Sequence, residues 1–198
     1  MGWLFSSRNW VGGVVLGISL SLTFTPTVAQ NAPLTPTLQT YFDHLELGQE
    51  SLTLRDYPAA VAALTQAIKV QPQRPEAYYY RAIAHSAMPN HDVAALADIE
   101  QAIKLNPKYA PAYTLRGTLL FRRKQMSAAL QDLNQAITLD PQQPAAYGLR
   151  GTIKREMNDL AGAMADFQKG IEIAQSRKQF SVYKALQREL ERTQQMQR

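Results

Sequence analysis

The side chains with the types to do chemistry in this 198-residue chain are few: His44, His85 and His91, a recurring Arg and Asp, and a local crowd of Tyr and Arg. Cys is absent, which removes disulfides, thiolate metal ligands, Cys nucleophiles and a lipidated-Cys anchor together. A His-based metal site would need all three His or added carboxylates. The sequence holds no Gly-rich phosphate loop, HExxH or GxSxG. His44 and His85 fall where a ring-shaped packing residue recurs, and His91 has only Asp92 beside it. No enzymatic activity, metal or cofactor is expected. What remains is binding chemistry, carried by aromatic and cationic side chains.

Those side chains need elements to hold them, and the composition can supply a core. Apolar residues make up 45% of the chain and charged ones 19%, which excludes a disordered polyampholyte. The length suits one domain. Lys and Arg number 21 against 16 Asp and Glu, a mild net charge of +5.

The first stretch is a different material. From Met1 to Ala29 the only charged side chain is Arg8, and Val11 to Phe24 is an apolar run closed by Pro26. Thr27-Val28-Ala29 then offers small residues where a signal peptidase reads, so a secretory signal over 1–29, cleaved after Ala29, is expected. An uncleaved membrane anchor is the lesser alternative, since 14 residues reach only about 21 Å of a roughly 30 Å hydrocarbon core. An exported, Cys-free chain without an Asn-x-Ser/Thr acceptor points to a periplasm or comparable lumen. Residues 30–40 read as a Pro/Thr-rich linker, in which Thr35-Pro36 has the form of a helix cap and first residue.

The rest repeats itself. AIKVQP at 67–72, AIKLNP at 102–107 and AITLDP at 136–141 place Pro72, Pro107 and Pro141 at intervals of 35 and 34 residues. Residues 94–107 and 128–141 agree at 9 of 14 places. AYYYRA, AYTLRG and AYGLRG begin at Ala77, Ala112 and Ala146. Within these, a ring and a small residue stand four apart (Tyr113 and Gly117, Tyr147 and Gly151) and share a helical face. Glycine costs roughly 1 kcal/mol against Ala in mid-helix, so Gly117 and Gly151 imply a second backbone close by, with Ala136 as a plausible facing residue. Each closing Pro forbids the helix to continue.

A period near 34 with these features resembles the tetratricopeptide repeat family, two antiparallel helices per repeat. Repeats are placed at 41–74, 75–109, 110–143 and 144–177, with 178–198 as a basic capping helix and tail. The resemblance implies an all-α, right-handed α-solenoid. Repeat 2 carries an extra residue around Met88-Pro89-Asn90-His91, and repeat 4 has Gln175 where the closing Pro would be. Arg81, Arg116 and Arg150 accompany Asp98, Asp132 and Asp166, whereas repeat 1 has Leu47 and Ala63 at those places. Because they appear and vanish together, they read as ion pairs between the two helices of one repeat.

The resemblance also implies that the first helices of the repeats line a concave groove for a protein segment. By position the groove residues are Tyr79, Tyr80, Ile83, Leu115, Thr118, Phe121, Arg122, Thr152 and Arg155, with Phe42, Leu45, Gln49 and Thr114 beside them. The arginines would favour an acidic partner. The family's Lys and Asn clamp for a C-terminal carboxylate is missing, since Leu45, Gln49, Tyr80, Pro111 and Leu115 stand there. The segment from Arg177 to Arg198 holds six Lys and Arg against Glu189 and Glu191, with Phe180, Tyr183, Leu186 and Leu190 as its docking side. Its basic face suits contact with an anionic membrane surface, while nucleic acid is not expected as a partner of an exported protein. The expected function is a protein- or peptide-binding scaffold or assembly factor. The alternative is a self-associating envelope component, a homo-oligomer whose groove holds its own linker or a neighbouring chain.

Overall fold

The computed structural model describes residues 35–197. The expected signal segment and residues 30–34 lie outside the described residues. Within them the chain forms α1 (Pro36–Thr53), α2 (Tyr57–Val70), α3 (Pro75–Ala87), α4 (Asp92–Leu105), α5 (Ala110–Arg122), α6 (Met126–Leu139), α7 (Pro144–Glu156), α8 (Leu160–Ser176) and α9 (Phe180–Met196). Each odd helix packs on the even helix that follows, and each pair stacks on the next. The result is an all-α helical repeat solenoid. No described helix is long and apolar enough to cross a membrane.

Local chemistry sets the ends. The Thr35 hydroxyl accepts from the Leu38 N–H at 3.3 Å, so α1 begins at Pro36 and residues 36–40 are its first turns. α2, α4 and α6 stop at Val70, Leu105 and Leu139, just before Pro72, Pro107 and Pro141. α8, with no such proline, runs on to Ser176. The ring at the head of the following helix then ties the turn down. Tyr78 donates to the Pro72 carbonyl at 3.2 Å, and Tyr113 to the Pro107 carbonyl at 3.1 Å.

Turns inside the repeats are built differently. Arg55, Lys124 and Asn158, and likewise Lys178 between repeat 4 and α9, each adopt positive φ just after a helix end. The next residue's N–H bonds back to a carbonyl five residues earlier, as Gln125 does to Leu120 at 2.9 Å. This is the left-handed helix stop that glycine usually occupies. The extra residue of repeat 2 replaces it with a wider turn, in which Met88 is extended and Asn90 takes positive φ.

Apolar clusters run along the stack between the helices rather than forming one central ball. Glycines mark the closest crossings. A Cβ on Gly151 would stand 2.9 Å from the Phe167 ring and 3.1 Å from the Ala163 carbonyl oxygen. On Gly117 it would stand 3.2 Å from Leu133 and 3.3 Å from the Ala129 carbonyl. The residues facing Gly117 are therefore Leu133 and Ala129, about one and two helical turns before Ala136.

α9 closes the stack. Leu186 is buried against Ala163 and Phe167, with Val182 and Leu190 around it. Phe180, expected on this docking side, is instead 70% exposed at the first position of the helix. Fully buried Thr193 extends the docked face.

Candidate protein-binding groove

The odd helices run side by side and parallel, so their N-terminal halves and the loops that enter them share one edge of the solenoid. There a groove of about 730 Å³ opens between α3, α5, α7 and α9. From α3 come Tyr79, Tyr80 and Ile83, and from α5 Pro111, Thr114, Leu115 and Thr118. The loop residue Tyr109, then Gln143 and Ala145, form the next wall, and Val182 of α9 closes the end.

Its floor is aromatic. Tyr79 meets Tyr80 at 5.3 Å and Tyr109 at 5.2 Å, both edge-to-face. Such pairs hold their rings in fixed orientation. Burial pushes all three phenols up. These are neutral rings throughout the physiological range.

One polar pair stands among them. The Thr114 hydroxyl donates to Gln143 Oε1 at 2.8 Å, while Gln143 Nε2 is buried without a hydrogen-bond partner. Charge is confined to Lys108, Asp140 and Arg177 at the loop rim. Asp140 Oδ1 accepts from the Gln142 N–H at 2.9 Å, and Arg177 donates to the Gln142 carbonyl at 2.7 Å.

The structure brings together Tyr79, Tyr80, Ile83, Leu115 and Thr118 of the expected groove residues. Tyr79 is only 7% exposed and belongs to the core beneath the groove. Phe121, Arg122, Thr152 and Arg155 do not line this cavity. Phe121 packs against the Leu133 cluster, and the Thr152 hydroxyl bonds back to Gly148 at 3.0 Å. Arg122 pairs with Asp92 and donates to the Ser86 carbonyl at 2.8 Å, tying α5 to the preceding repeat's turn. Arg155 lies 2.6 Å from Glu189 Oε2, at ion-pair distance but out of line for a hydrogen bond, and donates to the Thr193 hydroxyl at 3.2 Å. The physical reason is common to the two arginines. Their end of each odd helix leans on the neighbouring turn or on α9, away from the edge where the groove opens.

Sequence reasoning missed Tyr109, Gln143 and Val182. They lie in loops and in the capping helix, which a repeat-by-repeat alignment of first helices does not compare. Tyr109 had a signal: it is a ring directly after a closing Asn-Pro-Lys turn.

Elsewhere, His85 and His91 stack at 5.3 Å with their Nδ1 atoms 3.2 Å apart, one ring donating to the other. Among the described residues no group of three or more His, Asp or Glu is placed to hold a metal ion. On α9, exposed Lys184, Arg188 and Arg192 recur every fourth residue on the outward side of the stack. They give the last helix a polar outer surface, as the end of a stacked array needs.

Sequence models described as tetratricopeptide repeat match residues 45–96, 94–144 and 144–177. No curated protein sequence matches the chain. Among solved structures, a crystal structure of MamA is similar at 23% identity and a TM-score of 0.60, over 70% of this chain and 81% of that one. The first TPR of Spaghetti (RPAP3) bound to the HSP90 peptide SRMEEVD is similar at 23% identity and 0.57, over 61% of this chain and 94% of that one. The Arabidopsis OM64 TPR domain is similar at 23% identity and 0.58, over 61% and 98%. At these identities the likeness is one of fold.

Proposed function

The chain belongs to the tetratricopeptide repeat family, and from that premise we propose that it is a non-enzymatic scaffold that binds a segment of another protein in the groove between α3, α5, α7 and α9. The observation that carries this reading is the groove itself: apolar and aromatic surface, open at one edge, bordered by rigid helices. A contiguous apolar recess on a folded surface marks a binding site more often than an unused face. Buried or partly buried tyrosines are effective anchors, because each ring adds contact area with few rotors to freeze. The similar RPAP3 domain, bound to a peptide, supports the same use of this fold.

The setting proposed for this scaffold is extracytoplasmic. It is supported by the Val11–Phe24 apolar run and the Thr27-Val28-Ala29 ending. N-terminal sequencing of the native protein beginning at Gln30 would agree with it, and an intact Met1 would contradict it.

The binding reading is tested by capture from the native compartment with the unaltered protein and with Ala145→Trp. Ala145 is exposed on the groove wall, so an indole there fills the recess without entering the core. A partner retained by the first and lost with the second is expected. Equal recovery would place binding on another surface.

A further inference from the structure

We infer that the groove takes an uncharged, proline- and aliphatic-rich extended segment, not an acidic tail. This rests on the binding reading above and adds the chemistry of the partner.

Charge is the first argument. The three charged lining residues sit at the rim, and two of them, Asp140 and Arg177, hold the loop at Gln142. Arg122 and Arg155, which would have attracted carboxylates, are engaged with Asp92 and Glu189 outside the cavity. An acidic segment would therefore lose hydration in the groove without gaining a counter-charge along its middle. The contrast with the SRMEEVD peptide of the similar RPAP3 structure is direct, because that ligand carries three acidic side chains.

Ring chemistry is the second. Neutral Tyr80 and Tyr109, each held edge-to-face against buried Tyr79, make a fixed apolar wall beside Leu115. Proline-rich segments keep an extended backbone before binding and dock on such aromatic-lined grooves with little ordering cost.

The third is the amide of Gln143. One end is held by Thr114 and the other is buried without a partner. Exchanging the amide's O and N leaves the same deficit with the opposite sign. Gln143 as a whole is only half-buried, so a turn of its side chain brings this end to the groove surface, where a peptide carbonyl or N–H meets either need.

The test uses two pools of capped nonapeptides read by fluorescence anisotropy with the full chain. One pool is drawn from Pro, Leu, Ile, Thr and Ala, and the other is the same pool with Asp at two central positions. The neutral pool is expected to bind at least tenfold more tightly. Its affinity should change little between 50 and 500 mM salt, a range over which exposed charge pairs are progressively screened. Ala145→Trp should abolish it, and Gln143→Leu should weaken it several-fold while the protein stays folded by circular dichroism. Preference for the Asp pool, blocked by Ala145→Trp, would overturn the partner class and leave the groove reading standing. Binding of either pool that Ala145→Trp leaves unchanged would overturn both. No binding by the neutral pool would overturn the inference, while capture with the same variant still decides the groove.

Discussion

Arg116 holds Asp132 through two parallel hydrogen bonds, Nε to Oδ2 and Nη2 to Oδ1, each 2.7 Å long. Arg81 with Asp98 and Arg150 with Asp166 repeat the fork one repeat earlier and one later. All three carboxylates are buried. The hydrogen bond to the carboxylate holds the Arg81 and Arg116 guanidinium groups above their ordinary pKa. Two of the arginines donate a third hydrogen bond to the preceding even helix: Arg81 Nη1 to the Thr65 hydroxyl at 3.0 Å, and Arg150 Nη1 to Asn134 Oδ1 at 2.8 Å. One side chain thus joins the two helices of its own repeat and clips that repeat to the one before.

Removing one partner of the fork should cost more than removing both. Arg116→Met leaves Asp132 buried and uncompensated, and a loss of about 3 kcal/mol is expected. Adding Asp132→Leu should recover part of that loss. Urea unfolding of the two single variants and the double variant checks it, and a coupling energy near zero would reject the fork as a structural element.

Crossing distance predicts a ranking of two Ala substitutions. Helix propensity favours Ala over Gly by roughly 1 kcal/mol. Gly151→Ala nonetheless drives a methyl into Phe167 and the Ala163 carbonyl, at 2.9 and 3.1 Å. Overpacking of that kind costs about 1–3 kcal/mol, so a net loss is expected. Gly117→Ala, with 3.2 and 3.3 Å contacts, should lose less. Thermal melts of the two variants decide the order.

The left-handed turn residues predict a gain. Lys124 has φ of 61° and an exposed side chain. Left-handed backbone costs an L-residue roughly 1–2 kcal/mol that glycine avoids. Against this stands glycine's larger loss of freedom on folding. Lys124→Gly should therefore raise stability by about 0.5–1 kcal/mol, measured as a higher urea midpoint at unchanged slope.

Acid should weaken the second repeat through His85. Burial lowers its pKa below the ordinary 6.5, with Arg81 and His91 acting in the same direction and Asp98 opposing. As pH falls, the unfolded chain then takes up this proton first. The ring's contribution to stability is complete above about pH 6.5 and declines below it, until the folded form is protonated too. Replacing His85 by Gln should flatten the fall in urea midpoint between pH 7 and pH 5. Equal slopes would contradict the assignment.

Much of this architecture was legible because each repeat must solve the same packing problem. The helix stops are written as prolines, the crossings as Gly117 and Gly151, and the buried forks as an Arg and Asp that come and go together. Repeat 1 reads as the exception, and there Leu47 is 52% exposed where a fork would lie. The groove was legible only in part. The resemblance to the repeat family put Tyr80, Ile83, Leu115 and Thr118 on one edge, but it could not say which end of each odd helix stays open. Arg122 and Arg155 carry the same charge whether they face a ligand or hold a turn. In the structure they contact Asp92 and Glu189, 30 and 34 residues away in sequence, outside the cavity. Phe121 likewise packs on the Leu133 cluster and does not line the cavity.

The central claim is that a partner segment lies in the groove between α3 and α9, and site-directed photocrosslinking tests it most directly. Benzoylphenylalanine at position 108, exposed at the groove rim, is compared with the same group at exposed Gln66 of α2, in native extracts. The account predicts a crosslinked partner from position 108 and none from position 66. A partner that crosslinks from position 66 but not from position 108 would contradict it.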